Sequence, residues 1–326
     1  MNTTLISRRR RQLLLAAAWF APALHAQANF PSKPISLLVP FGPGGIADLT
    51  ARAVAEHMGK SLNQAVVVEN KPSAGSIVAT QAVATARPDG HTLLLMSNGN
   101  AVSVGLFKKL PFDVQKDLVP ITLLGTFDIG IFAAANSRFA TLRDALAFAK
   151  ANPGKLNVGT IAPGSTQHLS AKLFETVAGV DVLVVPYKGS PAVLTALRSG
   201  EIDLAFEVVG PMMPQLSAGV VKALAVSSDK RTAALPDVPT VMQAGVPGYN
   251  VASWNALAAP TGTPPDVLEK LGRAAREAVA APEVQARLGK LGMRLHSSTP
   301  AELQALLGSE IKRWGEVIRA AKIDPE

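Results

Sequence analysis

The stretch VPFGPGGIADLTAR, residues 39–52, places a glycine-rich turn between an apolar run and a segment with helical periodicity. The apolar run at residues 35–39 predicts a strand, and Asp48, Arg52 and Glu56 follow at the spacing of one helix face. A strand that turns sharply into a helix exposes backbone N–H groups at the positive end of the helix dipole, where an anion is favoured. The stretch therefore predicts an α/β unit with an anion-binding turn.

Apolar runs and amphipathic segments continue to alternate along most of the chain. This alternation predicts an α/β architecture with largely parallel sheets, because consecutive parallel strands need a helical crossover. The C-terminal part differs, since its three segments each begin near a proline and predict successive helices. The predicted strands are 35–39, 65–68, 92–96, 119–124, 129–134, 157–160, 182–185, 204–208 and 223–226. The predicted helices are 48–62, 77–86, 142–151, 166–178, 191–198, 265–280, 282–291 and 300–321.

The N-terminus has the features of a secretory signal peptide. Four consecutive arginines, residues 8–11, precede an apolar segment, residues 13–24, that is too short to span a bilayer. Small residues predict cleavage near Ala26 or Ala28, so residues 1–28 are expected to be removed. The arginines also fit a twin-arginine signal, which leaves export by the Sec or the twin-arginine route open.

The composition excludes several classes of function. The chain has no cysteine, so disulfides and thiolate chemistry are excluded. The formal charge is +8, and loss of the four signal arginines leaves about +4 (8 − 4) on basic residues that are scattered without interleaved aromatics. Nucleic acid is therefore not an expected partner. The few histidines show no metal-ligand spacing, and neither a metal nor a cofactor is expected.

The glycine-rich turn also fits two other interpretations. Gly42-x-Gly44-x-x-Ala47 matches the dinucleotide-binding fingerprint, and Glu69 ends the next predicted strand, where a ribose-binding acid would lie. Pro43 within the turn and export away from the cellular pool of NAD argue against this interpretation. A turn with a purely structural role is the other alternative.

A second strand–turn–helix unit occurs in GTIAPGSTQHLSAKLFE, residues 159–175. Gly164, Ser165 and Thr166 offer backbone N–H groups and two hydroxyls at a helix start, which suit a carboxylate. Ser165 and His168 could instead act as the nucleophile and base of an exported hydrolase. The stretch lacks a Gly-x-Ser-x-Gly elbow and an acid that would orient the histidine, so we assign no catalytic residue.

A third unit of this kind is VPYKGSPAV, residues 185–193. Tyr187 offers a ring face and a hydroxyl, and Gly189 and Ser190 offer N–H and hydroxyl groups. The alternative for Lys188 is a solvated surface position. Open α/β sheets bind ligands outside the carboxyl ends of their strands. No arginine lies in any of these turns, so ligand binding is expected to depend on backbone dipoles and to tolerate loss of Arg52.

The length of the chain predicts two domains. No Gly/Ser-rich linker divides it, so the connections are expected to be short strands near Gly125 and Ser253. Residues 29–124 and 254–326 then form one discontinuous domain, and residues 125–253 form an inserted second domain. Trp254, beside a crossing, is expected to report closure of the cleft, whereas Trp314 in the terminal helix is expected to stay unchanged.

The chain resembles the Bug-type, TctC-like receptors of tripartite tricarboxylate transporters, which are periplasmic solute-binding proteins. The matching stretches run in order over nearly the whole mature chain. They include PFGPGGIADLTAR, LPFDVQKDLVPITLL, APGSTQHLSAKLF, VPYKGSPAVLTALRSGEIDLAF and SWNALAAPTGTP. The resemblance implies a two-domain α/β periplasmic binding protein of type II, a Venus flytrap with mixed sheets and a strand hinge.

The resemblance further implies a monomeric periplasmic receptor that binds a small carboxylate without a cofactor and passes it to membrane permease subunits. The ligand stays open among di- and tricarboxylates, amino acids and aromatic acids. Presentation of the ligand to a sensor kinase stays open beside transport. The ligand contacts that the resemblance implies are Phe41, Pro43, Gly44, Gly45, Asp48, Ser97, Asn98, Gly164, Ser165, Thr166, His168, Tyr187, Lys188, Gly189, Phe206 and Glu207.

The sequence departs from the family pattern near the expected cleft. Gly42 stands where relatives often have proline or alanine, and Ile46 where they often have a small or polar residue. The segments KPSAGSI, residues 71–77, and KGSPA, residues 188–192, are each one residue shorter than usual. An inward-pointing Glu207 would repel a second ligand carboxylate and could instead pair with an amine.

Overall fold

The computed structural model describes residues 30–232, 234–320 and 323–325. The predicted signal peptide and its cleavage site lie outside these residues. Of the helices that are described, none is long and apolar enough to cross a membrane. The described chain has an α/β fold in which two sheets share one long strand.

The first sheet combines the N-terminal strands with a strand that returns late in the chain. In it, β1 (Ile35–Val39) pairs in parallel with β2 (Val66–Asn70) and β3 (Thr92–Ser97). β9 (Ala252–Pro260) then pairs antiparallel with β3 and with the first part of β4 (Leu118–Ala134). β1 and β3 are almost wholly buried, as expected of strands that are covered on both faces.

The second sheet is built from the middle of the chain. β5 (Asn157–Ile161) pairs in parallel with β6 (Leu183–Tyr187) and β7 (Leu204–Val208). β7 and β8 (Val221–Val226) pair antiparallel with the second part of β4. Each sheet therefore mixes parallel and antiparallel pairs. This confirms the mixed sheets that the resemblance implies, and the expectation of largely parallel sheets is wrong.

β4 is a single strand of 17 residues where the sequence predicts two strands. Its residues up to Asp128 pair with β9, and its residues from Ile129 onward pair with β7 and β8. Gly125, with φ of 151°, lies where the register shifts, and a Cβ there would come within 2.6 Å of the carbonyl oxygen of Arg294. The strand therefore runs on through the expected crossing point, and β9 lies beside it, with Ser253 opposite Phe127.

The helices cover the faces of the two sheets. The two helices that follow β9 pack on the helix Ile46–Leu62. The last helix packs on the helix Asn98–Leu106 and on β4, so the C-terminal segment returns to the first sheet. The helices are α1 (Ile46–Leu62), α2 (Ile77–Ala84), α3 (Asn98–Leu106), α4 (Leu142–Ala151), α5 (Thr166–Ala178), α6 (Ser190–Ser199), α7 (Val209–Ser217), α8 (Pro265–Ala280), α9 (Pro282–Gly289) and α10 (Pro300–Ala320).

The sequence prediction lacks α3 and α7, and each omission has a clear reason, whereas it anticipates β9 only as a short strand near Ser253. α3 begins with Asn-Gly-Asn, which are poor helix formers. A capping box nevertheless starts it, because Gly99 N–H donates to Ser97 Oγ and Ser97 N–H donates to Asn100 Oδ1. α7 contains Pro214, which disfavours a helix in any local prediction.

Candidate functional site

A cavity lies between the two sheets, at the carboxyl ends of β1, β3 and β5. It is narrow, with a volume of about 30 Å³, and none of the described residues that line it is charged. A larger and more open groove, lined in part by Glu269, Arg276 and Glu302, lies outside this region. The residues that line the cavity are Phe41, Gly45, Ile46, Ala47, Ser97, Phe127, Ile161, Thr166, Gln167, Ser190, Ser253 and Asn255.

The start of α1 forms part of the first wall, which we define as Gly45, Ile46, Ala47, Ser97 and Asn255. Gly45 is the N-cap of α1, and no side chain caps this helix start. The first backbone N–H groups of α1 therefore have no intrahelical acceptor and sit at the positive end of the helix dipole. The predicted contacts Phe41 and Gly45 line the cavity, whereas Pro43 and Gly44 lie exposed on its rim.

Asp48 braces the glycine-rich turn. Its Oδ2 accepts a hydrogen bond from Gly44 N–H at 3.0 Å, and both its oxygens lie 3.0 Å from Arg52 Nε. Burial raises the pKa of Asp48, but hydrogen bonds from Arg52 and Gly44 outweigh burial and hold that pKa below its ordinary value. Gly44 N–H is thus already used by Asp48. A ligand anion at this turn is left with the N–H groups that begin α1.

Side chains of α3 and β9 connect the first wall to the start of α5. Asn98 Nδ2 donates to Thr166 Oγ1 at 3.3 Å, and Thr166 Oγ1 lies 2.8 Å from Ser253 Oγ. Asn98 Oδ1 accepts from Trp314 Nε1 at 2.9 Å. The hydroxyls of Ser97, Thr166 and Ser253 also line the cavity. The two sides of the cleft are therefore in direct hydrogen-bonded contact.

Backbone segments on the two sides of the cleft also approach closely at glycines. Gly75 N–H donates to the carbonyl oxygen of Pro163 at 3.1 Å. A Cβ on Gly42 would lie 2.8 Å from the carbonyl oxygen of Lys188. Gly42 and the segment 188–192, the two places where the sequence analysis expects departures from the family pattern, therefore lie next to each other. A larger residue at position 42 would have to displace the backbone of the opposite side.

The start of α5 carries the second predicted unit. Ser165 is its N-cap, and Ser165 Oγ accepts the backbone N–H of His168 at 3.1 Å. Burial, and then the charge of Lys172, lower the pKa of His168 to about 4, so its ring is neutral at neutral pH. Within the described residues, His168 Nδ1 is buried without a partner, and no hydrogen bond joins the ring to Ser165. Ser165 and His168 are therefore not arranged as a nucleophile and its base in the described structure.

The remaining predicted residues occupy different places. Gly164, with φ of 79°, packs against the backbone of Gly75 at the rim of the cleft. Lys188 and Gly189 line a small recess beside the cavity, and Gly189 is the N-cap of α6. Tyr187 does not line the cavity, and its hydroxyl donates to Glu201 Oε1 at 2.7 Å. Phe206 is buried in the core, with its ring centroid 5.4 Å from that of Phe174.

Glu207 lies fully buried behind the second wall, which we define as Ile161, Thr166, Gln167 and Ser190. Its Oε2 accepts hydrogen bonds from Ser190 Oγ and Val208 N–H, each at 3.0 Å, and from Gln167 Nε2 at 3.5 Å. Its Oε1 has no donor within the described part of the chain. Burial raises the pKa of Glu207 to about 7, although these hydrogen bonds oppose the shift.

Sequence reasoning named Ser190 as a source of a hydroxyl group but did not select Gln167, Ser253 or Asn255, although all four line the cavity. Asn255 is 1% exposed, and neither atom of its amide has a partner among the described residues. A buried polar group without a partner is costly, so this amide is a candidate ligand contact. A signal was present, because Ser253 and Asn255 lie two residues apart in an otherwise apolar stretch and therefore share one face of β9.

Comparison with known proteins identifies the family. Residues 50–323 match the model of the tripartite tricarboxylate transporter family receptor, TctC. A UPF0065 protein of Bordetella pertussis strain Tohama I is 37% identical over 318 residues, which cover 97% of this chain and 98% of that protein. The protein BugT of the same strain is 33% identical over 309 residues, which cover 94% of each chain. The match to the family model covers the described chain from residue 50 to residue 323.

Solved structures agree with this result. The periplasmic binding protein BugD superposes with a TM-score of 0.87 at 32% identity, over 91% of this chain and 100% of its own. The R. palustris protein Rpa4515 with adipate gives a TM-score of 0.87 at 30% identity over the same shares. MatC of Rhodopseudomonas palustris with bound malate gives 0.83 at 33% identity, over 89% of this chain and 100% of its own. This chain therefore belongs to the Bug and TctC family of periplasmic solute-binding receptors, and it has their two-domain fold.

Proposed function

We propose that the chain captures a small carboxylate in the cavity between its two sheets and delivers it to the permease subunits of a tripartite tricarboxylate-type transporter. The observation that carries this proposal is the uncapped start of α1 beside the unpartnered amide of Asn255, in a cavity without charged lining residues. Two similar structures contain the carboxylates adipate and malate, which supports the same class of ligand here.

The ligand carboxylate is held by fixed dipoles. The backbone N–H groups at the start of α1 donate to it, and the hydroxyl of Ser97 and the amide of Asn255 complete the first wall. Such donors need no reorganisation when the anion enters, and the helix dipole adds a favourable potential. Phe41, Phe127 and Ile161 offer apolar surface to the carbon skeleton of the ligand.

Closure of the cleft is a rotation of two domains about the paired strands β4 and β9. We assign residues 29–124 with 254–326 to one domain and residues 125–253 to the other. β4 and β9 pair with each other around the proposed crossing points, Gly125 opposite Asn255 and Phe127 opposite Ser253. A few dihedral angles in two adjacent strands can absorb such a rotation.

A thermal-shift screen with a panel of small carboxylates tests the proposal. A ligand present at about 100 times its Kd should raise the free energy of unfolding by about 2.7 kcal/mol. Mass analysis of the recovered ligand should show it unchanged, whereas a hydrolase would release a product. No stabilisation by any carboxylate, or conversion of the ligand, would contradict the proposal.

A pair of variants at Gly45 localises the bound carboxylate. Gly45 has φ of −83°, so a side chain there causes no backbone strain. A Cβ alone would meet Ser190 Oγ at an ordinary 3.6 Å, so Gly45→Ala should bind nearly as well as the wild type. The additional methyl groups of Gly45→Val project where the anion approaches and should abolish binding while the protein stays folded. Equal affinity of both variants would exclude the turn as the carboxylate site.

A further inference from the structure

The carboxylate of Glu207 occupies the anion position on the second wall. Ser190, which donates to Glu207 Oε2, is the first residue of α6, and Gln167, the other side-chain donor, is the second residue of α5. Side chains from the first turns of two helices therefore hold one oxygen of this carboxylate. In the described part of the chain, the backbone N–H groups of these two helix starts do not donate to it.

No cation accompanies Glu207 in the described part of the chain. The groups that face it are the hydroxyl of Ser190, the amide of Gln167 and the N–H of Val208, and all three are neutral. The cavity in front of it has no charged lining residue either. A second ligand carboxylate at this wall would therefore enter a desolvated place beside a like charge, without a compensating cation.

The second wall presents acceptors to the cavity. The hydroxyl hydrogen of Ser190 is used on Glu207, so the oxygen of Ser190 has only lone pairs left to offer a ligand. Gln167 uses one hydrogen of its Nε2 in the same way, which leaves its carbonyl oxygen as an acceptor and one amide hydrogen as a donor. The first wall offers the N–H groups at the start of α1, and none of the described residues that form it carries a carboxylate. A ligand that reaches both walls therefore meets a positive helix start at one end and, at the other end, the carboxylate of Glu207 behind Ser190 and Gln167.

We infer that the cavity selects monocarboxylates that carry a hydrogen-bond donor, such as an ammonium, amide or hydroxyl group, at the end opposite the carboxylate, and that Glu207 sets this preference against dicarboxylates. The inference rests on the proposed function, because it assumes that the carboxylate end binds at the start of α1. In this inference, Glu207 determines which ligands bind, and it acts on them through Ser190 and Gln167.

Calorimetry with matched ligands tests the inference. The probes are the dicarboxylates succinate, glutarate and adipate, their monoamides, and ω-amino acids of similar length. The measurement is made at about pH 8, where Glu207 is ionised because its pKa is about 7. We expect the best donor-bearing ligand to bind at least about tenfold more tightly than its matched dicarboxylate. Equal or tighter binding of the dicarboxylate would overturn the inference and leave the proposed function standing.

Variants assign the preference to Glu207. Glu207→Gln removes the charge and should reduce the affinity ratio of the matched pair at least about fivefold. Glu201→Gln, a matched change on the same domain outside the cavity, should leave the ratio unchanged. If Glu207→Gln does not fold, Glu207→Met, which replaces the buried carboxylate by a neutral side chain of similar length, should reduce the ratio instead. A ratio that persists in the folded variant would overturn the inference, and a wild type that binds none of these carboxylates would refute the proposed function and the inference together.

Discussion

Two buried carboxylates, Asp48 and Glu207, lie near helix starts on opposite sides of the cleft and have opposite environments. Asp48 forms an ion pair with Arg52, 2.9 Å between Asp48 Oδ1 and Arg52 Nη2, and accepts a backbone hydrogen bond, so its charged form is stabilised. Glu207 is fully buried among neutral donors, and its pKa rises to about 7. The comparison shows that a partner cation decides whether the pKa of a buried carboxylate falls below or rises above its ordinary value.

The largest expected effect is on the pH dependence of stability at Glu207. Burial raises its pKa from 4.5 to about 7, so between these values the folded chain binds a proton that the unfolded chain has released. The stability that this group contributes is therefore complete below pH 4.5 and is lost as the pH rises to about 7, by about 3 kcal/mol in total.

Urea unfolding of the wild type and Glu207→Gln across this pH range measures that loss. As the pH rises, the free energy of unfolding of the wild type should fall relative to that of Glu207→Gln. Glu201→Gln, on the surface, should follow the wild type throughout. A difference that does not change with pH would show that Glu207 has an ordinary pKa and that the contrast with Asp48 is wrong.

The second effect concerns the cation of the Asp48 pair. Arg52→Met leaves the carboxylate of Asp48 buried without its partner, and we expect a loss of about 2 kcal/mol, below the full cost of an unpaired buried charge because the side chain of Arg52 is 46% exposed. Chemical denaturation measures it. The double variant with Asp48→Asn should recover part of this loss, since the uncompensated charge is then gone.

The same variant revises an expectation about binding. The sequence predicts that ligand binding tolerates loss of Arg52, but Arg52 holds Asp48, and Asp48 holds the N–H of Gly44 in the glycine-rich turn. We therefore expect Arg52→Met to weaken ligand binding as well as folding. Unchanged affinity in calorimetry would support the expectation from the sequence and show that the turn keeps its shape without the ion pair.

A smaller effect separates closure of the cleft from folding. Gly42→Ala places a Cβ 2.8 Å from the carbonyl oxygen of Lys188 across the cleft, whereas Gly45→Ala makes only an ordinary contact. We expect Gly42→Ala to lower ligand affinity about tenfold, which is about 1.4 kcal/mol, with little change in the stability of the ligand-free protein. Calorimetry of the two alanine variants, three positions apart in one turn, provides the matched comparison. Equal affinities would indicate that the opposite backbone moves aside at little cost.

The smallest expected effect is spectroscopic. Trp254 is buried on β9, beside the proposed hinge, and remains the main expected reporter of closure. The sequence predicts that Trp314 stays unchanged, but its Nε1 donates to Asn98, whose amide donates to Thr166 across the cleft. Ligand-induced fluorescence should therefore decrease in Trp254→Phe and, to a lesser extent, in Trp314→Phe. If Trp314→Phe keeps the full fluorescence change of the wild type on ligand binding, the expectation from the sequence that Trp314 does not report closure stands.

The sequence by itself determined the features that short segments encode. The strand–turn–helix units predicted α1, α5 and α6 to within two residues at their starts, because apolar periodicity and capping residues act within a few positions. The glycine-rich turn at residues 42–45 and the three C-terminal helices follow from the same local rules. The positions of the domain crossings, near Gly125 and Ser253, remain a prediction, and the pairing of β4 with β9 supports them.

The tertiary structure alone decided which side chains meet at the cavity. The side chain of Asp48 accepts a hydrogen bond from its own turn, and that of Phe206 packs in the core. Asn255, far along the chain, instead lines the cavity together with the start of α1. The direction of a side chain at a strand end depends on the register and packing of strands distant in sequence, which no local pattern specifies. The pKa of Glu207 depends in the same way on burial and on the absence of a cation among the described residues around it. Both are properties of the assembled fold, because desolvation and charge pairing act through space and not along the chain.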